Sequence, residues 1–397
     1  MSEHVAVGIF LRKVGILRGS SLNPYEGQYF RKLINYGFQP IGIMTYDNGF
    51  KADEIPFPVR VGHSYKTLVR GKLQLLQRLA KKATKYNFES YNFRIYNLKK
   101  LTGDLDIIHS ADIEFPYTYQ AAKTGIPTVV TEWENIPFNF EERPYSKIKK
   151  YNREHVAHFI AITEKAKEAL IAEGVSSDRI TVIPAGLDCD IFKPAAKNIE
   201  LSGNFGLSQD SIKILFVGRF VPEKGIFDLL NAFSILLKKT QKVELLIVGS
   251  GTTEMTNQIE KTVSNLKIEH KVKFLGSIKY ADMPQIHNLA DMFCLPSNET
   301  KTWAEQFGYS LVEAMACGKP TVSTWTGSIP EIVKNRETGF LVKPSDPVAL
   351  ESALEEITLN KVTRENFGAN AREWVLERFE ADKVASQIAG IYRKVLG

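Results

Sequence analysis

Two cations and two carboxylates, each pair held in a short apolar context, are the residues of this chain best suited to chemistry. In ILFVGRFVPEKG at 214–225, an apolar run passes into Gly218, Arg219 and Lys224 before Gly225 opens the helical pattern IFDLLNAFSILLK. A guanidinium that pairs bidentately and an ammonium that acts as a compact charge suit a diphosphate when they lie beyond a strand and beside a helix amino terminus. The plain alternative is a βα loop with solvated charges. In WAEQFGYSLVEAMACGKP at 303–320, seven residues separate Glu305 from Glu313, and Leu311, Val312, Met315 and Ala316 mark the apolar face of a helix that Gly318 and Pro320 end. A start near Phe307–Gly308 leaves Glu305 in the preceding loop and puts Glu313 about two turns in, so the two acids reach different parts of a ligand. Backbone N–H groups of Gly308, Tyr309 and Ser310 suit anionic oxygens, while the carboxylates, as pure acceptors, suit sugar hydroxyls at Glu305 and a ribose diol at Glu313. The alternative is that both acids cap and solubilise a core helix.

The elements that must position these residues are short β-branched runs alternating with helical patterns. One series comprises VAVGIF at 5–10, IGIMTY at 41–46, DIIHS at 106–110, PTVVTEW at 127–133 and HFIAIT at 158–163. A second comprises IKILFVG at 212–218, VELLIVG at 243–249, VKFLG at 272–276, MFCLPS at 292–297 and PTVST at 320–324. This rhythm predicts βαβ units and two doubly wound parallel sheets, with ligands beyond the carboxyl ends of the strands. Pro184, Gly186, Pro194, Gly203 and Gly206 interrupt the stretch between the series, which reads as a domain edge. The predicted division is an amino-terminal domain over 1–190, a carboxyl-terminal domain over 191–372 and a terminal helix over 373–397 that packs back toward the first domain.

Composition agrees with this reading and excludes others. A chain of 397 residues allows two domains at roughly 100–200 residues each. With 44% hydrophobic and 24% charged residues it is neither disordered nor fibrous. Three cysteines without a CxxC pair suggest neither a disulfide framework nor a zinc site, and the absence of a basic region followed by an apolar run at the start argues against a secretory signal. A cytoplasmic location follows as an expectation. Eleven cations against the single acid Glu89 lie between Arg60 and Lys100, a local excess larger than the net +6 of the whole chain. So local a charge argues against a nucleic-acid partner.

Taken together, VGR with its downstream EKG, the E-x7-E of EQFGYSLVEAMACGKP, VIPAGLDCDIFKP at 182–194, GSIPEIV at 327–333 and ETGFLVKPSDPVAL at 337–350 resemble the retaining glycosyltransferases of family 4. The resemblance covers 155–395 by motif and the amino-terminal half by rhythm. It implies an α/β chain of the GT-B fold, two Rossmann-like domains facing across a cleft. It further implies transfer of a hexosyl group from a UDP-, GDP- or ADP-sugar to a carbohydrate or lipid-linked hydroxyl, with no metal and no cofactor. Arg219 and Lys224 would hold the diphosphate, Glu305 and the backbone of Phe307, Gly308, Tyr309 and Ser310 the donor sugar, and Glu313 the ribose. Gly218, Gly249 and Gly251 would approach the phosphates, and Leu275 and Gly276 the base.

His109 matches a position where such enzymes carry a histidine facing the donor sugar, a structural strand-end histidine being the alternative. Glu132, Trp133, Glu134 and Asn135 suggest an acceptor platform or a plain turn. The family's Gly-Gly pair after the first strand is absent: the loop RKVGILRGSSLNPYEGQYF offers only isolated Gly15, Gly19 and Gly27. The two D-x-D triplets, at Asp104 and Asp106 and at Asp188 and Asp190, are read as chance rather than as a metal site. The basic segment 66–86 reads as a helix packed on its own domain, with contact to an anionic membrane surface, at the inner face of the membrane, as the minority alternative. Rival functions are a non-catalytic sugar-nucleotide binder and a phosphorylase or epimerase of the same fold.

Overall fold

The computed structural model describes residues 11–64, 93–141 and 145–397. The strand expected at 5–10 and the basic segment 66–86 lie outside the described residues. The described residues divide into two units, one formed up to Gly186 together with Ala381–Gly397, the other Leu187–Glu380.

The first unit is built on a parallel sheet of β1 Arg12–Gly19, β2 Phe38–Thr45, β3 Val59–Gly62, β4 Ile107–Ala111, β5 Thr128–Glu132, β6 His158–Ala161 and β7 Ile180–Val182. Their spatial order is β3-β2-β1-β4-β5-β6-β7. β1 falls in the stretch read from sequence as a loop, which corrects that reading. Val14, Ile16 and Leu17 are fully buried there, as expected of a strand covered on both faces. Gly15 is a packing residue within it, since a Cβ would stand 2.5 Å from the Leu105 side chain. Leu17, Ile43, Leu98, Leu105, Ile108 and Tyr117 pack together as a core on this sheet. The short strands β3 and β7 were not foreseen either; β7 lies in a stretch whose Pro and Gly content reads as a linker.

The second unit has β8 Ile212–Val217, β9 Val243–Val248, β10 Val272–Gly276, β11 Met292–Leu295, β12 Thr321–Thr324 and β13 Gly339–Val342, in the order β10-β9-β8-β11-β12-β13. The strand pairs of both sheets are parallel. The helix Ile226–Leu236 buries Leu229, Leu230, Phe233 and Leu236, and Tyr309–Ala316 buries Leu311, Val312, Met315 and Ala316, the face read from its spacing.

The helical pattern near the carboxyl end is two helices, Lys361–Arg378 and Ala381–Leu396, one in each unit. Phe379 interrupts them. Its ring is fully buried against Phe307 at 5.7 Å, and its carbonyl accepts from the Leu187 N–H at 2.7 Å. The division therefore falls at 186/187 and 380/381 rather than at 190 and 372.

Candidate active site

In the second unit, the loops leaving β8, β9 and β10 are tied to one another through their backbones. Gly218 N–H donates to Val248 O at 3.1 Å, Phe220 N–H to Ser250 O at 2.8 Å and Gly249 N–H to Gly276 O at 3.0 Å. Only glycine fits at 249, where φ is +144° and a Cβ would stand 1.9 Å from Gly218 O. Gly251 packs on Phe220 in the same way. The residues expected to surround phosphate and base, Gly218, Gly249, Gly251, Leu275 and Gly276, are thus gathered at one end of one sheet. Arg219 is exposed there and Leu275 is half-buried.

Lys224 and Glu305 meet directly: Nζ lies 2.6 Å from Oε2, with the two side chains 13% and 7% exposed. Ser297, just beyond β11, donates its hydroxyl to the same Oε2 at 2.9 Å, and the ammonium lies 5.1 Å from the centre of the Trp303 ring. The backbone of Glu305 is fixed from a third side by the loop after β12. Ser328 N–H donates to Glu305 O at 2.8 Å, and at Gly327, with φ +53°, a Cβ would meet that oxygen at 2.2 Å. Sequence reading missed Ser297, whose only signal is its place at the end of MFCLPS, and gave Gly327 no role.

Gly308, with φ +78°, sits at the amino terminus of the helix Tyr309–Ala316 and provides no side-chain cap. Phe307 is an inward packing residue, its ring 5.2 Å from Tyr309 and 5.7 Å from Phe379. Tyr309 and Ser310 are half-buried, while Glu313 is 4% exposed. Glu313 Oε2 lies 3.2 Å from Nε2 of His287, a residue for which the sequence offered no signal.

The first unit places its expected residues differently. His109 is fully buried in β4, its Nδ1 2.5 Å from the Tyr392 hydroxyl and its Nε2 2.6 Å from the Thr131 hydroxyl. Burial, with Arg18 nearby, holds the imidazole well below its ordinary pKa and therefore neutral. Both ring nitrogens are engaged within the unit, which corrects the expectation that this ring faces a donor sugar and favours the structural alternative.

The ends of β4 and β5 are laced by carboxylates. Asp112 Oδ1 accepts from Trp133 N–H at 2.8 Å, and Glu132 Oε2 from Ile113 N–H at 3.1 Å. Glu134 Oε1 accepts from the N–H groups of Asn135 and Ile136 at 3.0 and 2.9 Å. Glu132 and Asn135 are buried and Trp133 is half-buried. The segment 132–135 is a braced turn, the alternative that the sequence left beside an acceptor platform. Burial raises Asp112 to about 7 and pushes Glu114 and Glu132 well above the carboxylate range, and the three reinforce one another.

Arg18, next to last in β1, is 2% exposed and pairs with Glu26 through Nε at 3.0 Å, while its Nη1 donates to His109 O at 3.1 Å. Burial works against its charge, but Glu26 more than reverses this. Of the isolated glycines nearby, Gly27 packs on Pro56 in the helix Pro24–Arg31, and Gly19 ends β1 with φ +55°. Asp104 of the first D-x-D is held by Arg60 at 2.6 Å and Lys13 at 2.9 Å, and Asp106 accepts from Lys13 N–H. In the second, Asp188 Oδ1 accepts from Asp190 N–H at 3.0 Å.

The family model of glycosyl transferases group 1 matches residues 198–374, and that of glycosyltransferase family 4 matches 51–191. The chain is 32% identical over 197 residues to the N-acetyl-alpha-D-glucosaminyl L-malate synthase of Bacillus anthracis, a match spanning 50% of this chain and 49% of that enzyme, about half its length. It is 30% identical over 298 residues to the phosphatidyl-myo-inositol mannosyltransferase of Mycobacterium leprae, covering 74% of each. The fold is that of the Anabaena protein HepE, solved in complex with UDP and glucose, with a TM-score of 0.76 at 21% identity over 96% of this chain and 100% of that one. No described helix is long and apolar enough to cross a membrane. From the motifs, the two parallel sheets and these matches it follows that the chain belongs to the group 1, family 4 glycosyltransferases, of GT-B fold.

Proposed function

We propose that this protein transfers a hexosyl group from a nucleoside-diphosphate sugar to a hydroxyl acceptor, with retention of configuration and without a metal ion. The observation that carries this reading is the Lys224–Glu305 pair, braced by Ser297 at the carboxyl ends of β8 and β11. A diphosphate entering there competes with Glu305 for the Lys224 ammonium, and the carboxylate it displaces becomes an acceptor for donor-sugar hydroxyls. Arg219, exposed at the end of β8, is free to swing onto the same diphosphate.

As the bond between the sugar C1 and the diphosphate oxygen breaks, negative charge grows on the leaving group, and the two cations stabilise it. The acceptor oxygen forms the new bond to C1 from the same face and passes its proton to a diphosphate oxygen. Glu313 holds the donor ribose. The names of relatives, among them a GDP-mannose-dependent mannosyltransferase of Mycobacterium tuberculosis, support a nucleotide-sugar donor. Hold on Asp104 by Arg60 and Lys13 supports a metal-free mechanism.

The test is release of nucleoside diphosphate from UDP-, GDP- and ADP-sugars, with and without sugar and lipid-linked acceptors, in the presence and absence of chelator. Release that depends on acceptor and survives chelation is expected. Release independent of acceptor would remove the transferase reading, and activity restored only by manganese would remove the metal-free one.

A further inference from the structure

We infer that His287 is a positioning residue for nucleotide recognition: it locks the Glu313 carboxylate so that one oxygen faces the donor ribose. This rests on the reading of Glu313 as the ribose-binding acid. His287 lies in the helix Met283–Leu289 and is fully buried, its ring 6.0 Å from Phe192 and 5.8 Å from Phe293. Its Nε2 is 3.2 Å from Glu313 Oε2, and its Nδ1 has no hydrogen-bond partner among the described residues. A carboxylate can only accept, so the nitrogen facing it carries the proton, and the tautomer is set by Glu313 itself.

The consequence lies in the second oxygen. Glutamate has three side-chain torsions, and a carboxylate bonded to nothing in the protein samples several of them. With Oε2 tied to a ring clamped between aromatic side chains, Glu313 keeps one orientation, and Oε1 is left for a hydroxyl donor from outside the protein. A rigid acceptor distinguishes a ribose diol from a deoxyribose, because the deoxy ligand leaves that oxygen with no donor. A flexible one relaxes toward solvent and distinguishes them less.

The experiment measures binding of UDP, GDP and ADP, each beside its 2′-deoxy and 3′-deoxy counterpart, to the wild-type protein and to His287→Phe, His287→Asn, His287→Gln and Glu313→Gln. For the nucleotide that binds, the wild type should prefer the ribose form by about tenfold. His287→Phe, which lacks a donor, and His287→Asn, whose amide is too short to reach Oε2, should both lose most of that preference. His287→Gln, whose longer amide reaches, should keep it. A merely structural role would weaken ribose and deoxyribose forms equally and lower the melting temperature alongside. Full retention of the preference in Phe and Asn variants, with its loss in Glu313→Gln, overturns the inference while leaving the ribose reading intact. Retention in Glu313→Gln, no preference in the wild type, or no binding of any of the nucleotides overturns the reading beneath it.

Discussion

Lys224 and Glu305 stand 81 residues apart in the chain, yet their charged atoms meet at 2.6 Å behind a rim of Ser297 and Trp303. The fold thus sets the cation against an internal anion. Because both side chains are largely buried, neither charge is left to bulk water.

On the proposed mechanism Lys224→Ala removes the charge that stabilises the leaving diphosphate, so turnover should fall by at least about a hundredfold. Glu305 keeps the Ser297 hydroxyl, which limits the structural damage. Turnover and thermal melting measured together check this: a folded variant with undiminished turnover defeats it.

Gly327→Ala should cripple activity without touching any charged group. A methyl at this position meets the Glu305 carbonyl at 2.2 Å in a left-handed backbone, so the Glu305 loop must shift. A shift of about 1 Å at a positioned group costs on the order of a hundredfold in rate. Equal turnover in mutant and wild type would show that this loop does not hold Glu305.

Tyr392→Phe should destabilise the first unit and leave chemistry unchanged at temperatures where the protein is folded. It deprives buried His109 of the partner on Nδ1, a loss of about 1–3 kcal/mol. For a domain of this size that corresponds to about 2–4 °C in Tm per kcal/mol. Calorimetric melting of the two proteins, paired with turnover at 25 °C, separates the two effects.

The three buried carboxyls at the ends of β4 and β5 should make the first unit less stable as pH rises above about 4. Asp112, raised to about 7, and Glu114 and Glu132, pushed well above the carboxylate range, keep protons in the folded chain at pH values where the unfolded chain has released them. The folded state therefore binds more protons, and each such group lowers stability by up to about 1.4 kcal/mol per pH unit as pH rises. His109 and His158, the latter lowered to about 4, act in the opposite sense, but only below about 6.5. Glu132→Gln keeps an acceptor for the Ile113 N–H and removes one titration, so its melting temperature should fall less steeply than that of the wild type as pH rises above about 4.5. Parallel curves for both proteins would refute the assignment.

The sequence made the parallel architecture legible and singled out Lys224 and Glu305, each for a separate role, because alternating elements and charged residues at strand ends write themselves in local pattern; that the two side chains pair with each other was not legible. What stayed hidden depends on distant segments meeting. β1 read as a loop because Gly15 and Gly19 break its run, and it is the Leu105 and Ile43 side chains, packed against Gly15, that explain the glycine there. Nothing in the local pattern marks Arg18, which is buried against Glu26 and the His109 carbonyl. His109 carried a family expectation that its neighbours Tyr392 and Thr131 overrule, and one of these lies 283 residues away. His287 had no motif at all.

The helix Ala381–Leu396 completes a unit whose other described residues all precede Leu187. During synthesis the stretch Leu187–Glu380 emerges whole and can fold as a continuous piece, while the earlier-made sheet waits for Tyr392 to reach His109. Residues made after Leu187–Glu380 therefore seal the half made before it, and a stop codon between Glu380 and Tyr392 strikes the part of the molecule translated earlier.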